Sequence, residues 1–301
     1  MKPLFTLFAA AFLALAPAAD AARLTDSPLV DADWLSAHLG AEGLVILDVR
    51  DPDTNAMGAD YAGGHVPGAV SAPYAGYGWR VERDGIPGML PPTDEIAARI
   101  GALGIDNADH VVIVAQGSNS TEFGKATRVY WTFKVLGHDA VSILDGGHQA
   151  WLAAGGAAAT DAVAPVPAVF AATLRPELIA TTDEVAAAIG DDVALVDGRP
   201  AAQYRGEEKA GVARVAGTIP TAVNIEHTGF YQSHFIKPDT VSALEQAVGL
   251  DGGEKTITFC NTGHWASIAW FGISEVAGNK AVAMYDGSMA EWTRDESRPV
   301  Q

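Results

Sequence analysis

Short continuous apolar runs alternate along the chain with stretches in which apolar residues recur at helical spacing. Leu44-Val45-Ile46-Leu47, closed by Asp48-Val49-Arg50, is a run of the first kind, and Val193-Ala194-Leu195-Val196-Asp197-Gly198-Arg199 repeats it. Runs of this length and composition predict parallel strands buried on both faces. Gly64-His65-Val66-Pro67-Gly68-Ala69-Val70 then finds a counterpart in Gly217-Thr218-Ile219-Pro220-Thr221-Ala222-Val223. Leu144-Asp145-Gly146-Gly147-His148-Gln149-Ala150-Trp151 likewise matches Tyr285-Asp286-Gly287-Ser288-Met289-Ala290-Glu291-Trp292, and the order is kept throughout. One α/β unit is therefore written twice, each copy alternating buried strands with helices. The reading places a first domain at 22–156 and a second at 179–301. Between them 157–178 opens with a stretch rich in Ala, Pro and Val, as a connector does.

Thr256-Ile257-Thr258-Phe259 is a further strand of the second copy, and a helical pattern runs from Ser267 to a stop at Gly278. Between them lies Cys260, the only cysteine in the chain, where a strand ends and a helix is about to begin. Ligand sites in open α/β sheets lie beyond the carboxyl ends of strands, where loop amides and a helix N-terminus converge. A free thiol ionises near pH ~8.5, and lowering that by two units takes about 2.7 kcal/mol. A helix dipole gives only about 0.3 to 1 kcal/mol. Hydrogen bonds from loop N–H groups to a charged acceptor, about 1.5 to 3 kcal/mol each, supply the rest, and Gly263 lets the loop curl its amides inward. Taken alone, this stretch suits a small buried hydrophobe as well as a nucleophile. In the first copy, Val111-Val112-Ile113-Val114-Ala115-Gln116-Gly117-Ser118 fills the same place, with Gln116 read as the counterpart of Cys260. That makes the first copy a scaffold and the second the reactive one.

Composition narrows the class. With 301 residues, 49% hydrophobic and 19% charged, the chain is globular. Its formal charge of −18 argues against nucleic acid and anionic membrane surfaces as partners. Residues 1–21 read as a secretory signal: Lys2, a short apolar core from Leu4 to Leu15, and Ala19-Asp20-Ala21 as a cleavage site. The core is shorter than the ~20 residues of a membrane span. The expected location is periplasmic or secreted, with no membrane contact in the mature form. A lone cysteine permits no intramolecular disulfide, so both domains hold through their cores. The histidines are spread singly, and none makes a metal-ligand spacing with the cysteine.

Taken together, the Asp-x-Arg after the first strand, Gly64-His65-Val66-Pro67-Gly68-Ala69, Met89-Leu90-Pro91, the paired Asp-Gly-Gly/Ser…Trp segments and the cysteine loop resemble the rhodanese family. These are the sulfurtransferases that take a sulfane sulfur from thiosulfate or 3-mercaptopyruvate. The similarity runs from Ser27 to Trp292 and implies an α/β protein of two tandem rhodanese-like domains, each a parallel β-sheet flanked by helices. Catalysis would take place in the cleft between them. It further implies that Cys260 attacks the sulfane sulfur, becomes a persulfide, and passes the outer sulfur to a thiophilic acceptor such as cyanide or a thiol. Backbone amides of Asn261, Thr262, Gly263, His264, Trp265 and Ala266 would stabilise the anionic sulfur. The implied partners are a small anionic donor, the acceptor and, among the options it leaves, a sulfur-acceptor protein; no metal or organic cofactor is implied.

The family's thiosulfate-using members carry Arg-Lys in the cysteine loop and its mercaptopyruvate-using members Gly-Ser. The loop here, Asn261-Thr262-Gly263-His264-Trp265, has neither. A donor-contacting arginine of the family corresponds to Gln203, with Arg205 two residues on, and Arg199 matches a family arginine that also suits an ion pair within its domain. Arg205 and Arg199 are therefore carried as donor-contacting candidates. His264 is weighed as a group that protonates a leaving group or holds an anion, and is read instead as a loop histidine with its ring turned outward; Trp265 is read as a pocket wall or interdomain packing, and His65 as bonded within its own turn. Tyr74, Tyr77, Trp79 and Arg80, in loop 73–80, are expected at the cleft. Two other functions are weighed. A phosphatase of this fold needs arginine at the sixth position after its cysteine, where Ala266 stands. A non-catalytic sulfur-carrier or interaction module would have Cys260 loaded by a partner protein.

Overall fold

The computed structural model describes residues 23–52, 60–231 and 238–301, so the leader read at 1–21 lies outside the described residues. The first half runs β1 (Leu29–Val30), α1 (Ala32–His38), β2 (Leu44–Asp48), β3 (Val70–Ser71), β4 (Val81–Arg83), β5 (Ile86–Met89), α2 (Thr93–Ala102), β6 (His110–Val114), α3 (Ser120–Val135), β7 (Val141–Leu144) and α4 (Gly147–Ala153). The second runs α5 (Thr182–Ala188), β8 (Ala194–Asp197), α6 (Ala201–Tyr204), β9 (Val223–Asn224), α7 (Pro238–Ala247), β10 (Thr256–Phe259), α8 (His264–Trp270), β11 (Val282–Met284) and α9 (Ser288–Trp292).

Each half builds one parallel sheet, ordered β1-β7-β6-β2-β3 and β11-β10-β8-β9. All five residues of β6 and all four of β10 are buried, which is why these central strands carry unbroken Val, Ile, Thr and Phe runs rather than alternating patterns. Among the described residues the antiparallel β4-β5 hairpin is found in the first half only. It reaches the second: Arg294 Nη1 donates to the Asp84 carbonyl at 2.5 Å, and the Leu90 amide donates to Asp286 Oδ2 at 2.6 Å.

The duplicated Asp-x-Arg has the same role in both copies. Arg50 Nη2 pairs with Asp48 Oδ2 at 2.6 Å and donates to the Gly64 carbonyl at 2.7 Å. Arg199 Nη2 pairs with Asp197 Oδ2 at 2.6 Å and donates to the Gly217 carbonyl at 2.9 Å. All four side chains are buried. Each forked pair ties the end of its strand to the following loop, because a buried carboxylate has to be matched by donors.

The halves meet where α3 lies on α8. Thr127 Oγ1 is 2.8 Å from Ser267 Oγ, and Tyr130 packs edge-on to Phe271 with centroids 5.0 Å apart. Phe123, Val129, Trp270 and Phe271 share one continuous apolar core drawn from both halves. Gly124 permits this approach, since a Cβ there would meet His264 Nε2 at 2.8 Å. The helix expected from Ser267 begins at His264, because Gly263 takes φ 73° and turns the chain into it, and it ends in a π turn over Phe271–Val276.

Candidate active site

Cys260 follows β10, which lies between β8 and β11, and is 1% exposed. The sheet registers correct the reading of its counterpart. Asp48 lies opposite Val114 and Asp197 opposite Phe259, so Cys260 corresponds to Ala115, and Gln116 to Asn261. The α4 and α9 loops agree: the His148 amide donates to the Ala115 carbonyl as the Met289 amide donates to that of Cys260. The two loops differ in composition around one shared geometry, and apolar patterning alone does not resolve a shift of one residue.

Ser288 holds the cysteine loop closed. It stands at φ 50° where the first copy has Gly147 at φ 59°. Its Oγ accepts from the amides of Cys260 at 3.0 Å and Gly263 at 3.1 Å, and donates to the Tyr285 carbonyl at 2.9 Å. A non-glycine residue in the left-handed region costs roughly 1 to 2 kcal/mol, which the two satisfied amides offset. Thus two amides of the loop are occupied within the protein. Those of Asn261 and Thr262 take no acceptor among the described residues. The amides of His264, Trp265 and Ala266 open α8 and have no carbonyl one turn back. These are the donors left to receive an anionic sulfur.

A cleft of about 300 Å³ opens over Cys260. The first half contributes Tyr74, Arg80, Thr121 and Lys125, and the second Cys260, Asn261, Thr262, His264 and Trp265. The His264 ring bridges the halves: Nε2 lies 3.1 Å from the Thr121 carbonyl oxygen and Nδ1 lies 2.8 Å from Tyr74 Oη. A carbonyl only accepts, so Nε2 carries the proton and Nδ1 accepts from the tyrosine. Burial, followed by the nearby Arg80 guanidinium, lowers the His264 pKa to about 3, with Arg128 and Lys125 acting in the same sense against the Thr121 carbonyl. A ring lowered this far is neutral near pH 7, and its two contacts tie the halves together across the cleft. Burial also raises Tyr74, which keeps its proton. The outward orientation expected for His264 does not hold, because α3 supplies a partner for its ring.

Trp265 both walls the cleft and packs between the halves. It stacks on His227 with centroids 4.3 Å apart, and its Nε1 donates to Thr121 Oγ1 at 3.3 Å. Asn261 Nδ2 donates to Gln203 Oε1 at 2.9 Å. Ala266 is buried in the first turn of α8. Arg199 and Arg205 are not brought to the cleft. The first is spent in its buried pair with Asp197; the second is exposed and bonded to Glu207 at 2.7 and 2.8 Å. From loop 73–80, Tyr74 and Arg80 reach the cleft, whereas Trp79 is fully buried and Tyr77 Oη donates to the Arg99 carbonyl at 2.6 Å. His65 Nδ1 contacts the Tyr61 carbonyl at 2.9 Å, within its turn as expected.

Two side chains near the loop were not anticipated. Arg128 of α3 is fully buried, pairs with Asp286 at 2.6 Å and donates to the Gly263 carbonyl at 3.2 Å. Nothing in the local pattern marks it. Ser288 was visible as the serine standing where the first copy has glycine.

A family model described as "Rhodanese-like domain" matches residues 31–154 and 181–295. A Cricetulus griseus protein named "Thiosulfate sulfurtransferase" is 32% identical over 294 residues, covering 88% of this chain and 91% of its own. The solved structure of SseA from Escherichia coli, described among 3-mercaptopyruvate sulfotransferases with the rhodanese fold, matches with TM-score 0.75 at 25% identity. That match covers 87% of this chain and 98% of SseA. The solved complex of EanB/Y353A with ergothioneine matches in fold with TM-score 0.78 at 22% identity, covering 91% of this chain and 70% of that one.

Proposed function

The chain belongs to the rhodanese family and is a sulfurtransferase of that type, and on that footing we propose that it moves the sulfane sulfur of thiosulfate, or of 3-mercaptopyruvate, to a thiophilic acceptor through a persulfide on Cys260. The observation that carries this reading is the placement of Cys260 at the floor of the cleft, beneath Asn261 and Thr262 amides that have no protein acceptor among the described residues and beside the open first turn of α8. With thiosulfate, the Cys260 thiolate attacks the sulfane sulfur. The bond between the two sulfurs of the donor breaks, and its electron pair leaves with sulfite. The terminal sulfur of the persulfide then carries the negative charge, next to donors that need no reorganisation to receive it. An acceptor such as cyanide attacks that sulfur, the bond to Cys260 breaks, thiocyanate departs and the thiolate is restored. Tyr74 keeps its proton and so places no phenolate charge against the anions that enter.

The leader-like segment at 1–21 supports work outside the cytoplasm, with a small thiol or an exported protein as physiological acceptor. The test is thiocyanate formation from thiosulfate and cyanide by the mature chain beside Cys260→Ala, with 3-mercaptopyruvate as second donor. Turnover by the parent alone supports the proposal. Equal turnover by the variant removes Cys260 from it, and loading of Cys260 only by a partner protein makes the chain a carrier.

A further inference from the structure

The cations around the cleft are not equivalent. Lys125 Nζ sits 2.9 Å from Asp51 Oδ2 and 2.8 Å from Glu122 Oε1, so its charge is met twice. Arg128 is met by Asp286 at 2.6 Å. Arg80 is held by neutral acceptors alone: Nε donates to the Gly88 carbonyl at 2.9 Å, Nη1 to Tyr74 Oη at 3.3 Å and Nη2 to the Thr262 carbonyl at 2.5 Å. No carboxylate lies within ion-pair distance of it among the described residues.

Three of its five N–H groups are used, leaving one on each terminal nitrogen. Two N–H groups of one planar guanidinium therefore remain to be offered to an oxyanion. The group is also held in place. Gly88, at φ 81°, leaves room for the guanidinium, which a Cβ would displace, and the bond to Thr262 ties it to the cysteine loop itself. In a chain of formal charge −18, a local uncompensated cation favours entry of an anionic donor against the overall field.

We infer that Arg80, supplied by the first half of the chain, is the donor-recognising residue of the cleft and takes the oxyanion group of the anionic sulfur donor, with thiosulfate as the probe. The cysteine loop then provides amides for the sulfur, and the first half provides the charge for the oxygens. This rests on the sulfurtransferase reading of the cleft, and the tests are arranged so that the two can fail separately.

Thiosulfate binding to Cys260→Ala is measured by calorimetry and compared with Cys260→Ala/Arg80→Gln and Cys260→Ala/Arg80→Lys; steady-state kinetics are run on the single Arg80 variants. Loss of a charged hydrogen bond predicts about 10- to 100-fold weaker binding and a similar rise in KM for Arg80→Gln. Arg80→Lys should lie between, because it keeps the charge and loses the planar guanidinium. A merely structural Arg80 would lower kcat and the melting temperature and leave affinity and KM alone, which overturns the inference. If Arg80→Gln does not fold, Arg80→Lys decides: weaker binding supports the role, parental affinity refutes it. Thiosulfate bound through Arg80 by a parent that does not turn over would sink the sulfurtransferase reading and leave the anion site standing.

Discussion

Ser288 Oγ accepts the amide of Cys260 at 3.0 Å from a backbone at φ 50°, so the residue that closes the cysteine loop is itself held in a conformation that costs energy. Ser288→Ala keeps that cost and strands the Cys260 and Gly263 amides; each buried unsatisfied group costs about 1 to 3 kcal/mol. Ser288→Gly strands the same amides and relieves the backbone. Urea unfolding should therefore rank parent above Ser288→Gly above Ser288→Ala, with turnover reduced in both variants. Equal stability of the two variants would contradict the strain.

His264 titrates at about 3, well below the working range. The pH profile of kcat/KM for sulfur transfer should carry no limb assigned to it. His264→Gln, which keeps a donor and an acceptor, should retain the shape of the parent profile. A limb near pH ~6.5 that vanishes in His264→Gln would show an ionising role instead.

Stability should fall on acidification. Burial is the first cause that lowers His264 to about 3, and also His110 and His148 to about 4 each. A base depressed in the native state is protonated first in the unfolded chain. Its contribution is complete above the unfolded pKa of about 6.5 and is lost as pH drops toward the folded value, by about 1.4 kcal/mol per pH unit for each net proton. Asp145 acts oppositely: burial raises it to about 7, so its contribution is present at low pH and lost as pH rises through 7. Urea midpoints between pH 6.5 and 4.5 should decline, and more steeply in Asp145→Asn. A flat series would contradict the buried neutral histidines.

Arg199 and Arg205 separate structure from substrate contact. Arg199→Met leaves Asp197 buried and unpaired, which costs about 3 to 5 kcal/mol. Arg205→Ala removes a solvent-exposed pair with Glu207. KM for the donor should be parental in the folded fraction of the first and throughout in the second. A raised KM in Arg205→Ala would return it to the site.

The parts legible in the sequence were those written in local periods. The unbroken runs at Leu44–Asp48 and Thr256–Phe259 are the interior strands β2 and β10, and the repeated Asp-x-Arg is the same buried clamp twice. The strand-to-helix position of Cys260 followed from the change of period around it. What escaped depends on contacts far along the chain. Tyr74 and Arg80 were expected at the cleft, but not their bonds to His264 and Thr262, and Arg128, which reaches Gly263, was not expected at all; these contacts cross a domain junction that no local pattern describes. The one-residue error at Gln116 has the same origin, since only pairing with β2 fixes the register.

The central claim is a sulfur covalently held on Cys260. The direct measurement is the intact mass of the mature protein after thiosulfate is added and removed without an acceptor. The account predicts a gain of one sulfur atom per chain, absent in Cys260→Ala and discharged by cyanide with thiocyanate released. An unchanged mass in a preparation that nevertheless forms thiocyanate would contradict the persulfide.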